Sequence, residues 1–312
     1  MELSNIAGKT AVDLIKNENV QNKAIGALGM LFPYAGLTKK AVDMYISEIE
    51  KSDMSIDAKM FAVMNARKSL KKIKNQKQIV DIAMENTKEG TDFTEASGVN
   101  EEWLERFMDS ASFVSSKDIQ LIWGKILANE FEKPGTTPPN MIRVLSEITP
   151  TLARAFRKIC SMRIWICPLL EDENIEMAFQ KTFVPYNGHE DALREIGISF
   201  NILNELETLG VIKVSTISGY VSKNIDNTKV LLCIGDKIEV INEHTKGQVP
   251  IGNVMLTSVG EALQRITETE DIPNYYEMIK EYVLKHGVKF AEEHNFQVNV
   301  DGDTLNISKK IP

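Results

Sequence analysis

Residues Asp191–Ile212 read DALREIGISFNILNELETLGVI. Leu193, Ile196, Ile198, Ile202, Leu203, Leu206 and Leu209 recur at spacings of mostly three and four, the period of helices with one buried face. Gly197 interrupts the pattern and Gly210 stops it, since glycine takes the left-handed conformation that closes a helix without strain. The stretch therefore predicts two short helices joined by a tight turn, the second ending before Val211.

Downstream, β-rich segments follow at Ile212–Thr216, Tyr220–Lys223, Val230–Ile234 and Lys237–Ile241. Met255–Ile266 then holds a helix that Thr257 or Ser258 caps. Helix, turn, helix and then sheet is the order of a winged helix. Tyr275–Lys289 predicts a further helix, and Phe296–Ser308 a hairpin turning at Asp301-Gly302. A winged helix suggests DNA, but the second helix presents Asn201, Asn204, Glu205 and Glu207, with no lysine or arginine between Ser199 and Leu209. The wing near Lys223–Lys229 also carries Asp226. A groove reader needs cations for phosphates, so this part is expected to contact protein or to pack.

Upstream, a compact set of four helices is expected. Glu101–Ser110 turns Trp103, Leu104 and Phe107 inward. Ser115 or Ser116 begins the next helix, with Ile119, Ile122, Trp123, Ile126 and Leu127 on one face, and Lys133-Pro134-Gly135 breaks it. The third carries Met141, Val144, Leu145 and Ile148. The fourth starts at Thr149-Pro150-Thr151 and carries Leu152, Ala155, Phe156 and Ile159. Glu130, two turns after Trp123, is expected to accept hydrogen bonds from loop amides near Gly135 or to pair with Arg143, ahead of any acid–base role.

Further upstream, Lys39–Thr87 reads as long helix broken at Ser52-Asp53, with Ser55 and Asp57 opening the second part. Its apolar positions include Tyr45, Ile46, Ile49, Met60, Phe61, Met64, Leu70, Ile73, Ile79 and Ile82, a greasy face along each helix. The chain has 312 residues and net charge −8, which argues against a basic binder overall. Yet Lys59–Val80 holds seven bases and no acid. Arg67, Lys68, Lys71, Lys72 and Lys74 are candidate anion-binding residues, for phosphate, nucleic acid or anionic lipid. A solvated face that docks on an acidic neighbour is the plainer expectation, and no aromatics interleave with the bases for stacking.

Residues 24–38, AIGALGMLFPYAGLT, carry no charge over 15 residues, fewer than the ~18–20 that span a bilayer. They predict a buried helical hairpin or a subunit contact turning at Pro33; the alternative is a segment that enters a membrane on a trigger. Met1–Asn19 has no basic lead into an apolar core, so no secretory signal is expected. Cys160, Cys167 and Cys233 read as buried reduced thiols, and a cytoplasmic location follows, with membrane association on activation as the variant. His189, His244, His286 and His294 are scattered, and the phosphate-loop, nucleophile-elbow and dinucleotide motifs are absent. No metal, no cofactor and no catalytic residue is expected.

One stretch carries a resemblance. Trp103-Leu104-Glu105-Arg106-Phe107, then Gln120 to Glu130 (QLIWGKILANE), then Pro134-Gly135 resemble an uncharacterised bacterial family, domain of unknown function 2806. Asn75, Ile79, Ala83, Leu256-Thr257 and Gly260 also fit. The resemblance, over roughly residues 60–290, extends distantly to proteins associated with abortive infection. It implies a bacterial or prophage-borne protein in defence against phage, and it brings no catalytic residues. Trp103, Trp123, Glu130, Pro134 and Gly135 are its motif residues, structural or partner-binding.

The expected fold is mainly α-helical and α+β overall: an N-terminal helical region over 1–90, a central four-helix module over 91–170 and a winged-helix-like α+β domain with a small sheet over 171–312. The expected function is non-enzymatic, through oligomeric assembly or partner-protein binding. The alternatives are a membrane-acting effector exposing residues 24–38 and a nucleic-acid-binding regulator using the basic helix 59–80.

Overall fold

A computed structural model describes residues 39–88, 98–169, 178–222, 229–243, 248–301 and 304–309. The uncharged run 24–38, most of the expected wing and His244 lie outside them. The described chain mixes helices with small antiparallel sheets. It falls into two compact units that divide between Pro150 and Thr151.

The first unit holds α1 (Lys39–Lys51), α2 (Ile56–Asn86), α3 (Glu101–Ala111), α4 (Lys117–Glu132) and α5 (Met141–Glu147). The break between α1 and α2 falls where the capping residues predict it. The Ser52 hydroxyl donates to the Ile49 carbonyl at 2.6 Å, and the Ser55 hydroxyl accepts from the Ala58 amide at 3.3 Å. At 31 residues α2 is about 46 Å long. Its second half is buried through Ile79, Val80 and Ala83, and with them the polar Asn75 and Gln76. Asn75 Nδ2 donates to the Ser112 carbonyl at 2.8 Å and Gln76 Nε2 to the Met108 carbonyl at 2.9 Å. Both carbonyls lie at the end of α3, where helix carbonyls run short of backbone donors; the Met108 carbonyl also accepts from the Ser112 amide at 3.0 Å.

The first half of α2 departs from expectation. Met60, Phe61 and Met64, expected on a greasy face along the helix, are 67%, 63% and 45% exposed, and Tyr45 of α1 is 59% exposed. The physical reason is coverage. Helical spacing says that a face is apolar, while burial needs a neighbour of matching length. The 13-residue α1 is less than half the length of the 31-residue α2 and leaves these side chains uncovered, while Ile49 and Ala66 are buried.

The second unit begins with α6 (Pro150–Ser161) and β1 (Arg163–Pro168). β1 joins β2 (Phe179–Thr182), β5 (Val230–Ile234), β6 (Lys237–Glu243) and β9 (Lys289–Phe290) in an antiparallel sheet of order β2-β1-β5-β6-β9. All five residues of β5 are buried. Val230, Leu232 and Ile234 join a core that includes Ile279, Tyr282 and Val283 of α10 (Tyr275–Lys285). Leu231 and Cys233 join a second core, closed by Phe296, Val298, Leu305 and Ile307 of the hairpin β10 (Phe296–Asp301) and β11 (Thr304–Lys309). The sheet thus has a helix over one face and a hairpin over the other.

The stretch that opened the reading forms α7 (Glu190–Glu195) and α8 (Phe200–Leu209). Gly197 and Gly210 hold left-handed φ values of 85° and 87°. β3 (Ile212–Val214) pairs with β8 (Val254–Leu256), and β4 (Val221–Ser222) with β7 (Val249–Pro250). Thr257 caps α9 (Ser258–Arg265) by accepting from the Gly260 amide at 3.2 Å, and donates to the Gly210 carbonyl at 2.7 Å. A Cβ on Gly260 would stand 2.0 Å from the Val211 carbonyl oxygen, so only glycine lets α9 lie this close to the end of α8.

A second close approach sets the first unit. A Cβ on Gly124 of α4 would lie 2.3 Å from Ile82 Cγ2 and 2.6 Å from Ile82 Cβ. Alanine is the better helix former by about 1 kcal/mol, but overpacking here costs about 1–3 kcal/mol. Gly124→Ala is expected to lower the thermal midpoint followed by tryptophan fluorescence; a raised midpoint would show that the two helices are free to separate.

Candidate functional site

The motif residues form two devices along α4. Phe107 of α3 stacks on Trp103 at 4.9 Å between ring centroids and meets Trp123 at 4.6 Å, tilted by 55°. Trp123 is fully buried, and its indole N–H donates to the Leu145 carbonyl at 3.2 Å, tying α4 to α5. The Trp103 indole nitrogen is buried and has no hydrogen-bond partner among the described residues.

Two turns later Glu130 holds the loop that ends the helix. Its Oε1 accepts from the Gly135 amide at 2.6 Å and its Oε2 from the Thr137 amide at 3.0 Å. Gly135 takes φ +78°, which Pro134 before it cannot. Asn129 Nδ2 donates to the Thr136 hydroxyl at 3.1 Å, and that hydroxyl to the Lys133 carbonyl at 2.7 Å. Arg143 instead meets Glu147, at 2.8 Å. Of the two ordinary roles open to Glu130, the geometry has the loop-amide one. Both carboxylate oxygens are engaged by backbone donors, and Glu130 is 4% exposed.

The basic residues sit on the other part of α2. Arg67, Lys68, Lys71 and Lys74 are exposed, and among the described residues they make no ion pair. Lys72 is turned elsewhere, 4.5 Å above the Phe113 ring. Lys59 donates to the Glu50 carbonyl at 2.9 Å and Lys77 pairs with Asp81 at 2.7 Å. A shallow groove of about 610 Å³ runs along this face, lined by Met60, Val63, Met64, Arg67, Lys68 and Lys71 among others.

The second unit has a cavity of about 860 Å³ that no local sequence pattern announces, lined by Arg163, Trp165, Asp236, Lys237, Glu270 and Tyr276 among others. Beside it the Tyr276 hydroxyl donates to Glu239 Oε1, and Lys280 Nζ donates to the same oxygen at 2.7 Å. Burial, and next the hydrogen bond to Glu239, push the Tyr276 phenol above its ordinary value; the hydrogen bond to Glu239 raises the Lys280 ammonium. A phenol raised in this way stays a proton donor at neutral pH and is no base. Burial pushes the Cys160 thiol up to about 12, and a hydrogen bond with Cys167, then burial, raise Cys233. Thiols held protonated are weak nucleophiles. Among the described residues no group of three or more His, Cys, Asp or Glu is placed to hold a metal ion.

The family model described as "Protein of unknown function (DUF2806)" matches residues 63–280. The chain belongs to this DUF2806 family. No curated protein and no solved structure matches it. The DUF2806 match begins inside α2 and ends inside α10, so it takes in both motif devices, the basic face and the two helices at Asp191–Ile212. Among the described residues no helix is long and apolar enough to cross a membrane.

Glu130→Ala removes the acceptor of two part-buried loop hydrogen bonds, at about 0.5–1.5 kcal/mol each. Glu130→Gln keeps one acceptor and is expected to fall between wild type and Glu130→Ala in a urea denaturation series. Equal midpoints for all three would contradict the role of this carboxylate in holding the loop.

Proposed function

We propose that this DUF2806 protein is non-enzymatic and acts through partner-protein binding or oligomeric assembly, in bacterial defence against phage. The observation that carries the binding part is the outer face of α8. Phe200 is 47% exposed, and Asn201, Asn204, Glu205 and Glu207 stand exposed beside it. Beyond β3, Ile217 is 94% exposed. An exposed aromatic ringed by carboxylates and amides has the composition of a protein-contact anchor.

The α7–α8 pair, the Gly210 stop and the β3–β8 pair support a winged-helix-like element here. The same acidic α8 face is repelled by a phosphate backbone, which argues for protein contact over DNA. The defence part of the proposal rests on the distant likeness of the family to proteins associated with abortive infection, which have a similar tryptophan-to-alanine helix. A protonated Tyr276, raised thiols and a Glu130 engaged by backbone amides fit a protein that binds rather than reacts.

The test is phage plating on bacteria carrying the gene. Wild type is expected to lower plaque numbers relative to the empty vector. Phe200→Asp with Ile217→Asp, at equal protein level, is expected to restore them, since losing a central anchor costs about 2 kcal/mol, roughly thirtyfold in affinity. Plaque numbers that match the empty vector for wild type would remove the defence reading, and full protection by the double variant would remove this face from it.

A further inference from the structure

The first two turns of α2 leave Met60, Phe61 and Met64 in water, at 67%, 63% and 45% exposure, beside Ile56 at 77% and Met54 at 45%. The next two turns, on the same side, carry Arg67, Lys68, Lys71 and Lys74. At 100° per residue, positions 60, 64, 67, 71 and 74 lie within about a quarter of the helix circumference. The strip is therefore apolar at one end and cationic at the other. Among the described residues Glu50 is the one acid lining the groove along it.

We propose that this strip of α2 docks on an anionic lipid surface. Met60, Phe61 and Met64 enter the boundary between headgroups and acyl chains, and Arg67, Lys68, Lys71 and Lys74 meet the headgroup phosphates. Charge selects the occupant first. In a chain of net charge −8 the long-range field opposes any anionic surface, and this strip is where the opposition reverses sign. The apolar residues select it second. Nucleic acid satisfies the four cations but leaves two methionines and a phenylalanine in water, with no run of aromatics for bases. A second copy presenting the same strip in an antiparallel two-fold contact sets the cations of one strip against the apolar end of the other and supplies no acid for them.

A folded acidic partner asks for fixed complementary geometry, whereas methionine and lysine are among the most rotamer-rich side chains. A lipid surface asks only for apolar area and positive charge, the composition of an interfacial amphipathic helix. This proposal is independent of the α8 contact, which lies in the other unit.

The test is vesicle flotation of the full chain, with phosphatidylcholine alone and with phosphatidylcholine mixed with phosphatidylglycerol. Flotation is expected with the anionic vesicles only, weakening as salt rises. Lys71→Gln is expected to lower the partition coefficient about fivefold, the worth of one basic residue near an anionic membrane. Met60→Ser with Phe61→Ser and Met64→Ser is expected to remove the binding that survives high salt. All these positions are exposed, and circular dichroism confirms that each variant keeps its helices. Absence of flotation with anionic vesicles overturns the proposal, as does flotation that neither variant alters. Tighter binding to an oligonucleotide, or self-association through the same residues with no flotation, overturns it in favour of the other occupant.

Discussion

The close crossing of α2 and α4 at Gly124 is the constraint on which the first unit depends. With no Cβ at that position Ile82 comes against the α4 backbone, and the second half of α2 is locked by Ile79, Val80 and Ala83. Asn75 and Gln76 fix its rotation further by donating to the end of α3. A helix is stiff along its axis, so locking one half fixes where every side chain of the other half points. The outward direction of Met60, Met64, Arg67 and Lys71 is therefore a consequence of packing several turns away. The same crossing holds α4 in place, and with it Trp123 and the Glu130-bound loop.

In the second unit the equivalent constraint is β5. Its five buried residues supply alternate side chains to two cores, so the sheet holds the α10 side and the β10–β11 side together. The α7–α8 pair is held separately. Gly210 stops α8, Thr257 ties that stop to α9, and the bare backbone of Gly260 allows the contact. Leu256, Thr257 and Gly260, which fit the family, owe their chemistry to this junction, as Asn75, Ile79 and Ala83 owe theirs to α2. These residues sit at points of tight packing, and the exposed faces lie beside them.

Local signals made much of this legible in the sequence. Ser55, Pro134-Gly135, Gly197, Gly210 and Thr257 mark helix ends through chemistry that acts within a few residues, and the structure has those ends. β1 was not legible, because RIWICP is apolar toward both faces and so shows no alternation, and its partner Leu232 lies 66 residues beyond Ile166. The Tyr276–Lys280 pair is readable as one turn of a helix, but Glu239 comes to it from another strand. The exposed apolar turns of α2 misled for a related reason. Periodicity reports a face and cannot report whether a neighbour covers it. For Glu130 the sequence left two ordinary partners open, and only the loop conformation after Pro134 decides between them.

A protein whose chemistry is binding should show it at the faces its packing leaves bare. Hydrogen–deuterium exchange of the full chain, with and without anionic vesicles, reads this most directly. Slower exchange confined to peptides covering the first half of α2 is the predicted result. Unchanged exchange there, or protection spread evenly over both units, would contradict it.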